Sequence, residues 1–168
     1  MANRPIKFEK VSFEQFKEAC SNNPLLAKKD EAEIREAYDK IQLPKRGTSG
    51  SAGYDFITPF EVSVSRNPAL IPTGIRCKMA DNVVLMIMPR SGLGFKYNME
   101  LSNTVGVIDS DYYNSANEGH IMVKFKSDTA FLLNAGDRFA QGIFIPYFIT
   151  VDDDVKAVRN GGFGSTGN

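Results

Sequence analysis

From Gly47 to Ile149 the chain offers no helix of useful length between its apolar runs. It is cut into short β-branched and aromatic segments punctuated by Gly, Pro, Asn and Asp, the texture of an all-β sandwich or barrel. Strands that follow one another without crossover helices must pair mostly antiparallel, so the economical closure is a jelly-roll-like double antiparallel sheet. Strands are predicted over Phe60–Val64, Gly74–Lys78, Val83–Met88, Val105–Ile108, His120–Lys126, Ala130–Leu133 and Arg138–Pro146. The alternation is clearest where Ile121, Val123 and Phe125 take one face and Met122, Lys124 and Lys126 the other, as in a half-buried strand.

The segment ahead of this core reads differently. Ser12 with Gln15 has capping-box spacing, and Phe13, Phe16 and Ala19 recur at helical intervals until Asn23-Pro24. Asp30 with Glu33 repeats the signal, and Ile34, Ala37, Tyr38 and Ile41 form the stripe of a second helix before Pro44. The expected organisation is a helical N-terminal extension over residues 1–42, a β core over 43–150 and a C-terminal arm over 151–168. In that arm, Asp152, Asp153 and Asp154 lead into a glycine-rich run with too little apolar surface to fold by itself.

A chain of 168 residues fits one domain. Its 20 basic and 20 acidic side chains cancel, so net charge recruits neither a nucleic-acid backbone nor a membrane surface, and any phosphate chemistry must be local. No apolar run approaches the ~20 residues needed to span a bilayer, and the N-terminus lacks the apolar core of a signal peptide. Cys20 and Cys77 share no CxxC spacing and read as free, buried or half-buried thiols in a reducing compartment. The chain is therefore expected to be soluble and cytoplasmic.

Common catalytic signatures are missing: there is no phosphate-binding GxxxxGK[ST] loop, no HExxH helix and no zinc-spaced Cys/His set. The single histidine, His120, reads as structural. Asp109 and Asp111 stand two apart, a spacing that in a strand places both carboxylates on one side. Such a pair suits acid-base work on water near a polyphosphate, or else marks an acidic hairpin turn. Pro89-Arg90-Ser91-Gly92 ends an apolar strand with a guanidinium, a hydroxyl and a glycine, which makes either a phosphate cradle or an ordinary strand exit with a surface salt bridge. Arg138-Phe139-Ala140-Gln141 offers a second donor pair, or a solvated strand start. In the tail, Phe163 sits among glycines between Arg159 and Ser165-Thr166. It can stack on a nucleobase as the arm closes over a ligand, or the tail can be a frayed terminus.

Taken in order, Ala52-Gly53-Tyr54-Asp55, Pro89-Arg90-Ser91-Gly92, Gly106-Val107-Ile108-Asp109-Ser110-Asp111-Tyr112, Arg138-Phe139-Ala140-Gln141 and Gly161-Gly162-Phe163-Gly164-Ser165-Thr166-Gly167 resemble the five motifs of the trimeric dUTPase family. Leu70-Ile71-Pro72-Thr73-Gly74 also reads like the family's strand between the first two motifs, and the N-terminal helices fall outside the resemblance. It implies a β jelly roll of the β-clip type and a homotrimer whose three active sites each draw on all three chains. The implied activity is Mg2+-dependent hydrolysis of dUTP to dUMP and pyrophosphate, which limits uracil in DNA and supplies dUMP for thymidylate synthesis.

Carried onto this sequence, the resemblance implies that Asp109 activates the water that attacks the α-phosphate. Tyr112 packs on the deoxyribose, and Asn103, with the backbone of the Val107-Ile108 hairpin, reads uracil. Arg90, Ser91, Gly92, Gln141, Arg159, Gly164, Ser165 and Thr166 grip the phosphates while Phe163 covers the base. Magnesium sits on the triphosphate with no direct protein ligand, one of its waters held by Asp55, unless Asp55 only pins the first motif structurally. The chain departs from the family pattern in three places. Tyr113-Asn114 replaces a glycine and Ser115–Glu118 look inserted. Only Asn160 separates Arg159 from the paired glycines. Gly94 stands where alanine is usual.

Two other readings stand beside this one. The related dCTP deaminases share the fold but need a glutamate in the strand after the third motif, where this chain reads His120-Ile121-Met122-Val123-Lys124 with only Glu118 nearby. Alternatively, a dUTPase-like trimer uses the extra helices to engage a regulatory partner, with nucleotide as the switch.

Overall fold

The computed structural model describes residues 6–157 and Arg159. The elements run in the order β1 Lys7–Lys10, α1 Phe13–Ser21, α2 Glu31–Asp39, β2 Lys45–Arg46, β3 Tyr54–Ile57, β4 Val62–Val64, β5 Ala69–Pro72 and β6 Ile75–Lys78. There follow β7 Val83–Pro89, α3 Ser91–Tyr97, β8 Glu100–Leu101, β9 Gly106–Ile108, a 3₁₀ turn Ser110–Asn114, β10 Met122–Lys126, β11 Phe131–Leu133 and β12 Arg138–Pro146. Every strand pair is antiparallel. The largest sheet has the order β2-β3-β12-β7-β9, and a three-stranded sheet β5-β10-β8 joins the pairs β1-β6 and β11-β4 in the rest of the fold. The all-β class and the antiparallel closure are as the sequence implied.

The backbone of the fold is the β7–β12 ladder, in register from Ala140 opposite Pro89 to Pro146 opposite Val83. Its side chains fill the interior because Leu85, Ile87, Phe139 and Ala140 are buried, and Gly142 lies between them. A Cβ on Gly142 would come within 2.8 Å of Leu85 Cδ1 and 3.0 Å of Phe56 Cε2, so only glycine lets the strands approach this closely. A register shift between Arg138 and Ala140 turns two successive residues, Phe139 and Ala140, into the core. Such a bulge re-aims the neighbouring side chain, here Arg138, toward β3. On β10 the predicted alternation holds: Val123 and Phe125 are buried while Lys124 and Lys126 are exposed.

The N-terminal segment belongs to the same core. Phe13, Phe16 and Cys20 on α1 and Ile34 and Ala37 on α2 join the buried cluster, and Phe16 stacks on Phe60 with ring centroids 5.8 Å apart. Asp30 and Glu33 make the full reciprocal capping box, while Ser12 caps only the Gln15 amide, its own amide being bonded by Glu118 instead.

Several expectations need correction. The extension is not purely helical, because β1 pairs with β6 and buries Phe8 as the single apolar residue of Lys7-Phe8-Glu9-Lys10, too brief an alternation to read as a strand. A helix does interrupt the strands: Ser91-Gly92-Leu93-Gly94-Phe95-Lys96-Tyr97 forms α3, started after an extended Arg90 and stopped by Asn98 in the left-handed region at φ 51°. Its two glycines and its brevity hide any helical period. Strands β2, β3 and β8 lie outside the predicted set, being two to four residues long and fixed by their partners. The predicted Phe60–Val64 strand starts only at Val62, since Thr58 folds back to bond the Phe60 carbonyl.

Candidate functional site

The carboxylates at 109 and 111 do not lie two apart in a strand, as their spacing suggested. β9 ends at Ile108, and Asp109 stands in extended geometry at the start of the 3₁₀ turn, its carbonyl accepting the Tyr112 amide at 3.2 Å. The turn nevertheless brings both carboxylates to one partner. The Arg159 guanidinium bonds Asp109 through Nη2 and Asp111 through Nε, the latter at 2.8 Å. The same guanidinium lies 5.9 Å from the centre of the Tyr112 ring.

Tyr112 is buried, and its hydroxyl donates to the His120 carbonyl at 2.9 Å and accepts from Asn117 Nδ2 at 2.7 Å. Burial raises the Tyr112 pKa, so the hydroxyl keeps its proton. His120, as expected of a structural residue, is fully buried, with Nε2 accepting the Gly74 amide at 2.8 Å. Burial lowers its pKa to about 4, which keeps the ring neutral, and because Nε2 accepts from Gly74 the remaining proton lies on Nδ1.

Beside this turn, Asn103 occupies the loop between β8 and β9, where its carbonyl accepts the Val105 amide at 2.7 Å and Thr104 is left-handed at φ 69°. Asn103, Gly106 and Ile108 line a cleft of about 420 Å³ together with Leu101, Met122 and Lys124. Gly106 packs closely on Ile87, since an added Cβ there would stand 3.0 Å from Ile87 Cβ. Val107 points out between them, half exposed.

A second cluster gathers around Asp55 on β3. Its two carboxylate oxygens are taken by Arg90 Nε and Arg138 Nη1, each at 3.1 Å. The bulge in β12 supplies Arg138, and the Arg90 amide donates to the Phe139 carbonyl at 3.2 Å. Gln141 pairs with Asp55 in the ladder and its Nε2 donates to the Pro89 carbonyl at 3.4 Å. Gly53 makes room for it, because a Cβ would approach Gln141 Oε1 to 2.7 Å. Ser91 and Gly92 open α3 beside Arg90, the Ser91 side exposed. Arg138 was seen in the sequence only as one member of a donor pair; its link to Asp55 depends on the bulge, which no local pattern announces. Asn117, which holds the Tyr112 hydroxyl, carried no signal at all.

The two clusters do not meet within one chain. Ile108 faces Leu85, so Asp109 is level with Val84, whereas Arg90 follows Pro89 at the other end of β7. Six positions of strand separate them, roughly 20 Å at about 3.3 Å per residue. Phe163, Gly164, Ser165 and Thr166 lie outside the described residues. Among the described residues no group of three His, Cys, Asp and Glu side chains is gathered to hold a metal. No helix among them is long and apolar enough to cross a membrane.

With Asp109, Asp111 and Arg159 at one end of β7 and Asp55, Arg90 and Arg138 at the other, the strand order defines an all-β protein with a charged cluster at each end of one sheet. The dUTPase family model matches residues 39–167. The deoxyuridine 5'-triphosphate nucleotidohydrolase of Lactococcus lactis is 41% identical over 133 residues, covering 76% of this chain and 89% of the relative. That of Burkholderia mallei is 41% identical over 145 residues, covering 80% and 95%. Among solved structures, the dUTPase from Streptococcus mutans superposes with a TM-score of 0.62 at 33% identity, over 85% of this chain and 97% of the other. A Staphylococcus bacteriophage 80alpha dUTPase reaches 0.63 at 16% identity over 98% and 99%, a likeness of fold. The chain belongs to the dUTPase family.

Proposed function

We propose that this enzyme hydrolyses dUTP to dUMP and pyrophosphate, and that it does so as a homotrimer in which each site joins the Asp109 end of one copy to the Arg90 end of another. The observation that carries this reading is the separation of the two clusters along β7. A triphosphate cannot touch Asp109 and Arg90 of the same chain across roughly 20 Å of strand, but neighbouring copies can bring the two ends together. The phage 80alpha enzyme has been seen with dUpNHpp, in keeping with a nucleotide of this class.

In that site the cleft at Asn103 receives the uracil. Asp109 orients a water and takes its proton as the water attacks the α-phosphate. Tyr112, locked by His120 and Asn117, presents a fixed ring to the sugar. Arg90, Ser91, Gly92 and Gln141 from another copy bind phosphate oxygens, with Arg138 and Asp55 holding Arg90 in place. Asp55 therefore acts by pinning two guanidiniums. Arg159, which bonds Asp109 and Asp111 here, exchanges those carboxylates for phosphate oxygens when substrate arrives, and Phe163, Gly164, Ser165 and Thr166 complete the closure. Exclusion of water by that closure strengthens each charge contact.

Magnesium would be carried on the triphosphate and would neutralise phosphate charge there, since among the described residues no acidic cluster is gathered to hold it. The dUTPase from phage phi11 of S. aureus coordinates a structural Mg(II) ion. The deaminase reading is disfavoured by Glu118, whose carboxylate is engaged by the Ser12 amide and hydroxyl. The partner-binding reading is disfavoured by the stripes of α1 and α2, which are spent inside the chain's own core.

The test is incubation of the purified chain with Mg2+ and dUTP or each other dNTP, following pyrophosphate release, with light scattering for mass. Selective release from dUTP by a trimer is expected. Release from all dNTPs alike, or full activity in a monomer, rejects the proposal.

A further inference from the structure

The family model does not reach the N-terminal segment, and that segment packs against the loop after Tyr112. In the structure they hold each other. At the near end of the loop, the Tyr113 hydroxyl donates to Glu9 Oε2 at 2.6 Å. Glu9 stands opposite Arg76 in the β1–β6 ladder, and Arg76 both bonds the same oxygen at 3.3 Å and lies over the Tyr113 ring at 4.3 Å. At the far end, Glu118 accepts the Ser12 amide at 2.7 Å and the Ser12 hydroxyl at 2.6 Å.

Between these anchors the loop is tightly bonded to itself. Asn117 reaches the Tyr112 hydroxyl, its carbonyl takes the His120 amide, and its Oδ1 takes the Gly119 amide at 3.2 Å. Gly119 is left-handed at φ 70°, and a Cβ there would meet the Tyr112 carbonyl at 2.7 Å, so the loop closes back on its own start. A loop pinned at Tyr113 and Glu118 cannot shift without moving Tyr112, and the 3₁₀ turn ties Tyr112 to the carbonyl of Asp109.

We propose that Glu9 and Ser12 are positioning residues for Asp109 and Tyr112, acting through Tyr113 and Glu118, so that the N-terminal segment braces the reacting end of the site. The inference rests on the hydrolytic reading above. The Tyr113 hydroxyl, and Lys7 beside it, hold the Glu9 carboxyl at about 2, so the acceptor stays ionised. Misplacement of a reacting group by about an ångström can cost on the order of 100-fold in rate, and loss of one anchor of two leaves the loop only partly free.

The experiment measures kcat and KM for dUTP at 25 °C on the full chain and on Tyr113→Phe, Glu9→Ala and the double variant, with Tm for each. Each single change is expected to lower kcat by about 5-fold with KM within about twofold, and the double variant to be no slower than the slower single, since both remove one contact. Ser12→Ala should show the same kcat loss and Ser12→Thr, which keeps the hydroxyl, should restore it. Variants that lose Tm but keep kcat, or that change KM alone, overturn the brace. A wild-type chain that releases no pyrophosphate from dUTP overturns the hydrolytic reading and the brace with it, which separates the two failures.

Discussion

Replacing Phe16 by alanine tests whether the N-terminal helices are part of the fold or an appendage to it. Phe16 has no exposed surface, and its ring lies between Phe60 at 5.8 Å, Tyr38 at 5.7 Å and His120 at 6.2 Å. Gly74 closes the fourth side, where an added Cβ would stand 3.2 Å from Phe16 Cδ2. Phe-to-Ala changes in cores cost about 3–5 kcal/mol, and the value rises when the walls cannot collapse. Here the walls are held: Tyr38 by its hydroxyl bond to the Val11 carbonyl at 2.7 Å, and His120 by the Gly74 amide. The loss should therefore fall near the top of that range, about 4–5 kcal/mol, a large share of the ~5–15 kcal/mol that folds a typical domain. The chain lacks tryptophan, so the assay is urea unfolding by far-ultraviolet circular dichroism, at fixed protein concentration because assembly adds to apparent stability. A loss below about 1 kcal/mol would refute the reasoning and make the β core self-sufficient. By the same logic a chain begun at Leu43 should lose cooperative unfolding, since it lacks eight buried apolar residues from Phe8 to Ala37.

Other expectations are simpler to state. Asp109→Asn should retain dUTP binding by calorimetry while turnover drops by about 10²- to 10⁴-fold, and near-normal turnover would remove Asp109 from the reaction. His120 has a folded pKa of about 4 against an ordinary 6.5. Between those values the unfolded chain takes up a proton that the native chain refuses, so stability should fall as pH drops from 6.5 toward 4, by up to about 3 kcal/mol, and level off below. His120→Gln should lack this component of the pH slope in urea midpoints. Burial pushes the Cys20 and Cys77 thiols up to about 12, so native protein at pH 8 should react with a thiol reagent far more slowly than protein in urea; two prompt equivalents would contradict their burial.

What the sequence made legible follows from the range of each signal. The long strands β7, β10 and β12 and both N-terminal helices carry period and caps within a few residues, and they appear where the pattern set them. Strands β1, β2 and β8 exist because a partner strand fixes them, and a pattern of two to four residues cannot announce that. The site divides in the same way. Asp109, Arg90 and Gln141 were legible as motif residues, but the grouping was not. Arg138 reaches Asp55 only through a bulge, and Arg159 reaches both Asp109 and Asp111 only because the chain turns at Ile108 rather than continuing as strand. Ser12 is legible as a helix start, yet its bond to Glu118 joins residues 106 apart in sequence, beyond any local rule.

The distance between the two ends of β7 has a genetic corollary. In the proposed trimer, two inactive polypeptides, one altered at Asp109 and one at Arg90, can complement each other when assembled together, because some clefts then draw each intact half from the chain that still has it. Random co-assembly of equal amounts would restore roughly a quarter of the clefts, so a lesion in one gene copy would be partly masked by a different lesion in another.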